Sequence, residues 1–540
     1  MRGGERESGM KLKFVAVLLA GSAFCISAPA VAQEPPAGQE RPEPTEPDPS
    51  DAAADAAIAG ARAVDDAQAK IELLQAQVEA LQASIEQLKA NLVKATPGWK
   101  GAPQLEDKEE GWSFKPRGRI QYDVGYVSNP HDRVVTRNLG FNTRARRIRL
   151  GAEGTIPGGF GYKFEMDYAN AGVGFGDVVM TYQPKGQPWN FTIGNHETLN
   201  GLEQITSSRF TSFVERAAFD DAFINTRRLG ANIGYVNSAG TLRFNAGLFA
   251  AHSIDSRLDN EGWIGAARAV YAPLWGGNQM HFGANFQHRE FQSNNNGTTA
   301  ESSGQPSTNR LARYRARPFS QLTDQRFVDT GNFAAKRDDI FGLEFGAIFK
   351  SLHIAAEGQF LRANAYGRGD TFGVPGDTLN LFPGNTATVL VPSGDPSFWG
   401  GYVEAGYFLT GETRGYKGGT WDRTKVLKPF SQGGWGAVQV NGRVDYLDLD
   451  SRKLRHGFSN NFLTGNFSTS NNEGRGGKQL GLLASVIWIP EDYFRMLFQY
   501  SHAFIEGGPL AATVKPNDSK PLNLRKYGVD VFMTRAQIDF

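Results

Sequence analysis

From Trp112 to Phe540, apolar and polar residues alternate with a period of two. In the segment 160–168, aromatic residues and a methionine occupy the even positions, while glycine, lysine, glutamate and aspartate occupy the odd ones. The same alternation recurs at 280–289, 438–446 and 494–501. Successive side chains of a strand point to opposite faces, so the pattern predicts strands with one apolar and one charged face. Such strands favour a barrel with lipid outside and water inside over a large soluble β protein.

We place sixteen strands in this region, an even number, as a single-chain barrel requires. Short connections such as 157–159 and 490–492 mostly alternate with long ones such as 291–338, 363–397 and 450–476. This fits short periplasmic turns opposite long external loops. The link 411–433 is long where a turn is expected, so the strand register there stays open. The strands are expected to begin near residues 113, 144, 159, 174, 188, 227, 241, 262, 279, 339, 352, 399, 434, 477, 493 and 528.

The residues before the barrel predict export and a helix. Residues 1–32 read as a signal peptide, with basic residues before an apolar run and a small-residue cleavage site at Ala30-Val31-Ala32. Residues 33–51 form a Pro- and Glu-rich linker. Residues 52–95 carry apolar residues at alternating spacings of three and four, which predicts a periplasmic coiled coil. These residues are Ile71, Leu74, Val78, Leu81, Ile85, Leu88 and Leu92.

The number of chains in this coiled coil stays open. Ile or Val at one seam position with Leu at the other favours a coiled coil of two helices, whereas a trimeric barrel protein needs three. A single amphipathic helix lying on its own barrel is the alternative, although such a helix usually has a wider apolar stripe. The apolar seam therefore predicts self-association but does not specify the number of chains.

Composition and motifs argue against several other classes. The net charge is +1, so we expect no nucleic-acid partner. A single cysteine excludes a disulfide scaffold and cysteine zinc sites. The segment His196–Asn200 resembles a zinc-protease motif, but Asn200 stands where the second ligand is needed. We find no nucleophile elbow and no phosphate loop, so we expect no enzyme, no metal and no cofactor.

Arginine clusters suggest what a pore would carry. Arg147 and Arg149 share a face with Glu153, the presumed lumen side of the second strand. Arg313, Arg315 and Arg317 alternate in a long loop, which in an extended chain places three guanidinium groups on one side, about 6.6–6.8 Å apart. Such a ladder would let a small anion move from one arginine to the next, because the planar, permanently charged guanidinium group binds phosphate and carboxylate groups well. Alternatively, these arginines bind lipopolysaccharide phosphates at the outer rim or are simply solvated.

The barrel region resembles the porin O and P family of phosphate- and polyphosphate-selective porins. The resemblance is carried by Arg117-Gly118-Arg119-Ile120-Gln121, Arg146-Arg147, Gly201-Leu202-Glu203, Thr206-Ser207-Ser208, Glu215-Arg216, Tyr271-Ala272-Pro273-Leu274, Leu409-Thr410-Gly411-Glu412 with Tyr416-Lys417, and Arg535-Ala536-Gln537. It implies a homotrimer of 16-stranded barrels, each with an anion-binding constriction.

The resemblance also assigns roles to individual residues. It implies anion donors at Arg119, Arg146 and Arg147, a constriction aspartate at Asp177, a hydroxyl donor at Ser207, a lining cation at Arg216 and an arginine ladder at Arg313, Arg315 and Arg317. Phosphate-selective members have a lysine where this chain has Gln204, so one ammonium charge is missing from the implied site.

Together these observations predict an outer-membrane porin of a Gram-negative bacterium for passive diffusion of small anions, plausibly phosphate or polyphosphate. Its expected surroundings are outer-membrane lipid and lipopolysaccharide, with a possible cell-wall contact through the coiled coil. The alternative is a general, weakly selective diffusion porin that also tethers the envelope through its coiled coil.

Overall fold

The protein is described by a computed structural model. It describes residues 49–95, 98–99, 101–107, 109–131, 137–169, 172–223, 226–254, 262–291, 311–366, 388–461, 466–469 and 473–540. The expected signal peptide, and the expected linker as far as residue 48, lie outside the described residues. No described helix has both the length and the apolar character that crossing a membrane requires.

Sixteen antiparallel strands close into a barrel, which confirms the strand number predicted from the alternation. Each strand pairs with the next along the chain, and the last strand pairs with the first through Arg535 and Asp123. The barrel strands are β1 Trp112–Val127, β2 Gly140–Ile156, β3 Phe160–Asp167, β4 Gly174–Tyr182, β5 Trp189–His196, β6 Arg228–Val236, β7 Leu242–Ala250, β8 Gly262–Tyr271, β9 Asn278–Phe291, β10 Phe333–Phe349, β11 Leu352–Ala365, β12 Ser397–Phe408, β13 Ala437–Asp448, β14 Lys478–Glu491, β15 Phe494–Glu506 and β16 Lys526–Asp539.

Short elements accompany the barrel. The helices are α1 Pro49–Ala95, α2 Leu202–Ile205, α3 Ala218–Phe223, α4 Arg452–Arg455 and α5 Ala511–Val514, with 3-10 turns at Phe430–Gln432 and Leu522–Leu524. Short strands outside the barrel wall are Gly98–Trp99, Pro103–Asp107, Leu274–Trp275, Leu311–Ala312, Arg315–Ala316, Val328–Asp329, Thr388–Val391, Gly415–Lys417, Thr420–Asp422, Phe458–Asn461 and Asn466–Thr469.

The two faces of the wall follow the period of two. In β15, the side chains of Phe498, Tyr500 and Phe504 are exposed on the outside, whereas Gln499 and Ser501 are buried inside. Outward aromatic and aliphatic side chains suit hydrocarbon, and inward polar side chains suit a wet interior. Alternation in the sequence therefore specifies both faces of the wall.

Two connection types distinguish the ends of the barrel. At one end, here the turn end, the links are 157–159, 183–188, 237–241, 272–277, 350–351, 409–436 and 492–493. At the other, the loop end, they include L3 (197–227), L5 (292–332) and L7 (449–477). The 409–436 link is the long turn-end connection whose register the sequence left open, and the strands on both sides of it pair in order.

Helix α1 is 47 residues long and ends at Ala95, immediately before the Thr96-Pro97-Gly98 sequence. It begins at Pro49, so residues 49–51, the last three of the expected linker, are helical. Proline suits the first helical position because its missing N–H has no helical acceptor there, and aspartate is favourable in the first turn. The described chain divides into two units, one ending at Glu86 and the other beginning at Gln87.

Candidate functional site

Loop L3 lies inside the barrel. Leu202, Phe213 and Phe219 are fully buried, and most of their neighbours in the loop are buried. Its backbone binds the wall: the N–H of Val214 donates to Gln499 Oε1 at 2.8 Å. A long loop bonded to inward-facing wall residues narrows the passage through the barrel.

Four arginines of β2 bond to groups inside the barrel because the strand contains a β-bulge. Gln121 pairs with Arg147 and Tyr122 pairs with Ala145, which leaves Arg146 as the extra residue. The bulge resets the alternation. Arg146 therefore reaches Glu215 of L3 at 2.9 Å, while Arg147 donates to Gln121 at 2.9 Å. Arg144 donates to the Gln321 carbonyl of L5, and Arg149 pairs with Glu165 and Asp167.

Strands β1 and β16 hold the middle of L3. Arg119 donates to the hydroxyl of Ser208 at 2.8 Å, and Arg535 pairs with Glu215 at 3.0 Å. Burial alone would raise the pKa of Glu215, but the guanidinium groups of Arg146 and Arg535 hold that pKa below its ordinary value. Glu215 is thus an ionised anchor between two cations of the wall.

The remaining residues that the resemblance singles out occupy distinct places. Asp177 pairs with Lys163 and with Arg227, the latter at 2.6 Å. Ser207 accepts a bond from Arg209 Nε at 3.2 Å, and the neighbouring Ser208 is the serine that binds Arg119.

Gln204 and Arg216 are internal to L3. The side-chain amide of Gln204 donates to Glu197 at 2.8 Å, and its buried Oε1 has no donor within the described residues. Arg216 donates to the backbone carbonyls of Glu203, Gln204 and Thr206 at 2.9–3.0 Å. The guanidinium of Arg216 therefore holds L3 together from within.

The described part of L5, residues 311–332, also contacts the interior and carries the three alternating arginines. Tyr314 and Ala316 are fully buried between them. Arg313 pairs with Asp329 at 2.6 Å, and Arg317 pairs with Asp221 of L3 at 3.0 Å. Burial lowers the pKa of Arg317 to about 10, so the side chain remains a cation at neutral pH.

Arg315 and Arg326 of L5 are cations with free donor groups. They are only 8% and 5% exposed. Nε of Arg315, and Nε and Nη1 of Arg326, have no hydrogen-bond acceptor within the described residues. Arg326 approaches Asp221 at 4.0 Å. Buried guanidinium N–H groups favour an acceptor, and an anion supplies both the acceptor and the opposite charge.

The 409–436 link reaches L3 from the turn end. Arg414 donates to Ser212 Oγ at 2.5 Å and to the Phe210 carbonyl at 3.0 Å. The buried Trp421 stacks on the Arg414 guanidinium at 4.5 Å, and its backbone N–H donates to Thr206 Oγ1 at 3.3 Å. L3 is therefore held from both ends of the barrel.

The structure brings together predicted site residues that lie far apart in the sequence, and it shows further residues at the same place. Arg146 and Arg147 share the interior with Arg119, and the L5 arginines meet L3 through Asp221. Ser208, Glu215, Arg326, Arg414 and Arg535 were not proposed as site residues. Ser208 and Glu215 stand inside the motifs that carry the resemblance, whereas no local pattern marks Arg326 or Arg414. Within the described residues, no group of three or more His, Cys, Asp or Glu side chains could hold a metal ion.

Comparisons with known proteins agree with this architecture. The family model described as "Phosphate-selective porin O and P" matches residues 114–505. An uncharacterised protein of Caulobacter vibrioides is 34% identical over 451 residues, which is 82% of this chain and 76% of that protein. Porin O of Pseudomonas aeruginosa is 30% identical over 202 residues, which covers 35% of this chain and 45% of Porin O.

Solved barrel structures are similar at low identity. OmpT, an outer-membrane protein of Vibrio cholerae, matches 80% of this chain and 98% of its own with 9% identity and a TM-score of 0.42. The anion-selective porin from Comamonas acidovorans matches 79% of this chain and all of its own with 12% identity and a TM-score of 0.39.

Proposed function

The chain belongs to the phosphate-selective porin O and P family and is an outer-membrane porin, and from this premise we propose that it prefers small anions, phosphate among them. Solutes pass down their own gradient, and no bond is made or broken. Selectivity in such a pore comes from the width of the constriction and the charges that line it.

The observation that carries this proposal is the pair Arg315 and Arg326. Both are more than nine-tenths buried and both have guanidinium nitrogens without an acceptor in the described residues. Most other interior arginines are already paired with carboxylates: Arg146 with Glu215 and Arg535 with Asp123. Arg119 is also buried and has an Nε without an acceptor in the described residues. L5 supplies two such arginines with three unsatisfied nitrogens between them, so a passing anion gains most at L5.

Reversal potentials in a salt gradient across a planar bilayer test this proposal. The wild-type channel should pass chloride in preference to potassium, and the double variant Arg315→Gln, Arg326→Gln should lose most of that preference. Arg362→Gln is the matched control, because Arg362 is 63% exposed by side chain and pairs with Asp395. Cation preference in the wild type would overturn the proposal. Absence of any preference would also overturn it and would support the general, weakly selective porin instead. Unchanged selectivity in the double variant would locate the anion preference elsewhere.

Phosphate recognition is the finer part of the proposal. The planar fork of arginine matches phosphate oxygens, and arginine keeps its charge at every physiological pH. The affinity of the channel for phosphate can be measured as the block of the chloride current by added phosphate. Block at lower concentrations than those needed for sulfate would support a phosphate site, and equal block would leave only general anion preference.

We also propose that α1 joins copies of this chain into a trimer through a coiled coil. Ile71, Leu74, Val78, Leu81 and Ile85 lie at seam spacing and are 48–61% exposed. Apolar residues repeated every 3.5 positions are stable when buried against the same seam of another helix. A periplasmic helical bundle of this kind could also contact the cell wall.

The mass of the full mature chain in detergent tests this association. Leu74→Glu with Leu81→Glu should reduce the mass or lower the temperature at which the oligomer dissociates. Leu73→Glu is the control, since Leu73 is exposed but lies outside the seam. A wild-type mass of one chain would overturn the trimer. Retention on purified cell wall, compared with a variant lacking residues 33–98, tests the tether separately.

A further inference from the structure

Wall carboxylates hold the backbone of L3 on one side of the barrel. Glu357 of β11 accepts the N–H groups of Leu202 and Glu203, each at 2.7 Å. Asp445 of β13 accepts the N–H of Ala218 at 3.2 Å. We call this region the L3 seat; it comprises Glu203 and Asp220 of L3 with Glu357, Glu404, Arg443 and Asp445 of the wall.

The L3 seat contains more acids than bases. Its five carboxyl groups face Arg443, which bonds Glu203 and Glu404 at 2.5 Å each. Arg216 of L3 is close by, but its guanidinium is engaged with three backbone carbonyls. Arg414 of the 409–436 link lies 3.8 Å from Glu404. Several buried carboxylates cannot all carry charge beside so few cations.

Asp220 is the carboxyl group with the weakest support. It is 3% exposed, and its Oδ2 has no hydrogen-bond donor in the described part of the chain. The charged groups facing it are Glu203, Glu357, Arg216 and Arg443. Burial, reinforced by Glu203 and Glu357, raises the pKa of Asp220 well above its ordinary value. A protonated carboxyl is therefore the form that this position favours.

Apart from Arg216 and Arg443, the described side chains of the elements that pack on α3 offer Asp220 no counter-charge. From L5, Arg317 pairs with Asp221, the residue next to Asp220. The charge of Arg315 is also attracted to Asp221. From β9, Arg289 bonds Asp338 and the Phe223 carbonyl. From β12, Tyr402 donates to Glu357 at 2.7 Å. None of these described groups donates to Asp220, and the described residues offer no cluster suited to a metal ion. The proton is the cation that fits.

We propose that Asp220 is a proton-binding site that latches L3: the protonated side chain keeps α3 on the L3 seat, and loss of the proton releases it into the passage. On deprotonation, three neighbouring carboxylates, those of Asp220, Glu203 and Glu357, repel one another in a poorly hydrated place. The latch rests on the proposed channel function only where it is tested by current recordings.

The direction of the pH dependence follows from the raised pKa. An aspartic acid in the unfolded chain or in a released loop titrates near its ordinary value of about 3.9. The seated form binds the proton more tightly, so the stabilisation is complete below that value and falls as pH rises through the raised pKa. Because one proton is released, the ratio of released to seated L3 rises by at most about tenfold per pH unit.

Current recordings between pH 5 and pH 9 test the latch. The wild-type channel should be steady at low pH and should show growing fluctuations in conductance as pH rises. Asp220→Asn, which mimics the protonated acid in shape, should remain steady throughout. Asp518→Asn, in the loop between β15 and β16, is the control for loss of an aspartate outside L3 and L5; Asp518 accepts the Lys520 N–H at 3.0 Å, and this variant should keep the wild-type response. A wild-type response that survives in Asp220→Asn, or a wild-type channel that is steady at every pH, would overturn the latch.

A second measurement separates the latch from the channel. Hydrogen exchange of L3 peptides in the full-length protein, corrected for the intrinsic pH dependence of exchange, should increase with pH in the wild type and not in Asp220→Asn. This result would support the latch even if no current were found, in which case the channel proposal alone would fail. If Asp220→Asn does not assemble, the wild-type series decides: protection of L3 that does not change with pH overturns the latch.

Discussion

The ring of Phe540 occupies the space beside Gly118 into which any side chain at that position would project. The two residues also exchange backbone hydrogen bonds, Gly118 N–H to Phe540 O at 3.1 Å and Phe540 N–H to Gly118 O at 3.0 Å. The C-terminal residue thus completes the seam between β16 and β1. The close approach of the ring favours glycine here, and an unusual backbone conformation does not.

Gly118→Ala should therefore weaken barrel closure. The added methyl group overlaps the Phe540 ring, and overpacking of this kind costs about 1–3 kcal/mol. The urea midpoint for unfolding in lipid vesicles should fall. Gly442→Ala in β13 is the control, since no atom lies within 4 Å of its added Cβ. Equal midpoints for the two variants would show that the ring moves aside at no cost.

Arg443→Met should loosen L3. Arg443 bridges Glu203 of L3 and Glu404 of the wall, and removing one partner of a buried ion pair costs about 3–5 kcal/mol. Single-channel conductance and current noise should both increase, because L3 narrows the passage less firmly. Arg455→Met removes an ion pair with Asp450 in L7 and serves as the control. Unchanged conductance and unchanged current noise in Arg443→Met would argue against the role of the L3 seat in holding L3.

Gln204→Lys should strengthen phosphate binding. The substitution restores the ammonium group that phosphate-selective members carry, next to a buried region where Oε1 of Gln204 has no donor. We expect phosphate to block the chloride current at several-fold lower concentration. Glu197, which binds the Gln204 amide, is the competing partner for the new charge. Gln204→Met controls for the loss of the amide, and an unchanged block in Gln204→Lys would place residue 204 away from the anion path.

Trp421→Ala should open the passage from the turn end. The Trp421 ring is buried against Arg414, which in turn donates to Ser212 and to the Phe210 carbonyl of L3. Removing the ring leaves Arg414 without its stacking partner, while the backbone bond from residue 421 to Thr206 is kept. Truncating a buried tryptophan costs about 3–5 kcal/mol, and conductance should increase. Trp435→Ala in the same link is the matched control, because Trp435 is 83% exposed. Equal conductance in both variants would mean that the link does not shape the constriction.

The wall was predictable because its signal is local. Each strand repeats an alternation that can be counted within about ten residues, and most strands begin close to the expected positions. The exceptions are β2, which begins at Gly140 and not near 144, and β10, which begins at Phe333 and not near 339. The bulge at Arg146 was not predictable in this way, because strict alternation would turn Arg146 away from Arg147. One extra residue in a strand leaves no mark in composition.

The interior was predictable only in part, because its contacts join distant segments. Glu203 meets Arg443 across 240 positions and Ser212 meets Arg414 across 202. Neither pair has a periodicity or spacing that a single sequence can reveal. The arginines of β2 and L5 were found because they cluster locally, whereas Asp220 attracts notice only when Glu203 and Glu357 surround it.

The 409–436 link has a consequence for how porins of this design could diversify. The link contacts L3 inside the barrel. A change in the length or sequence of the link would therefore alter the width of the passage, while every wall strand kept its neighbours and its lipid-facing surface. Permeation could therefore evolve separately from membrane insertion, and exchanging this segment between relatives is a direct way to build channels with new solute ranges.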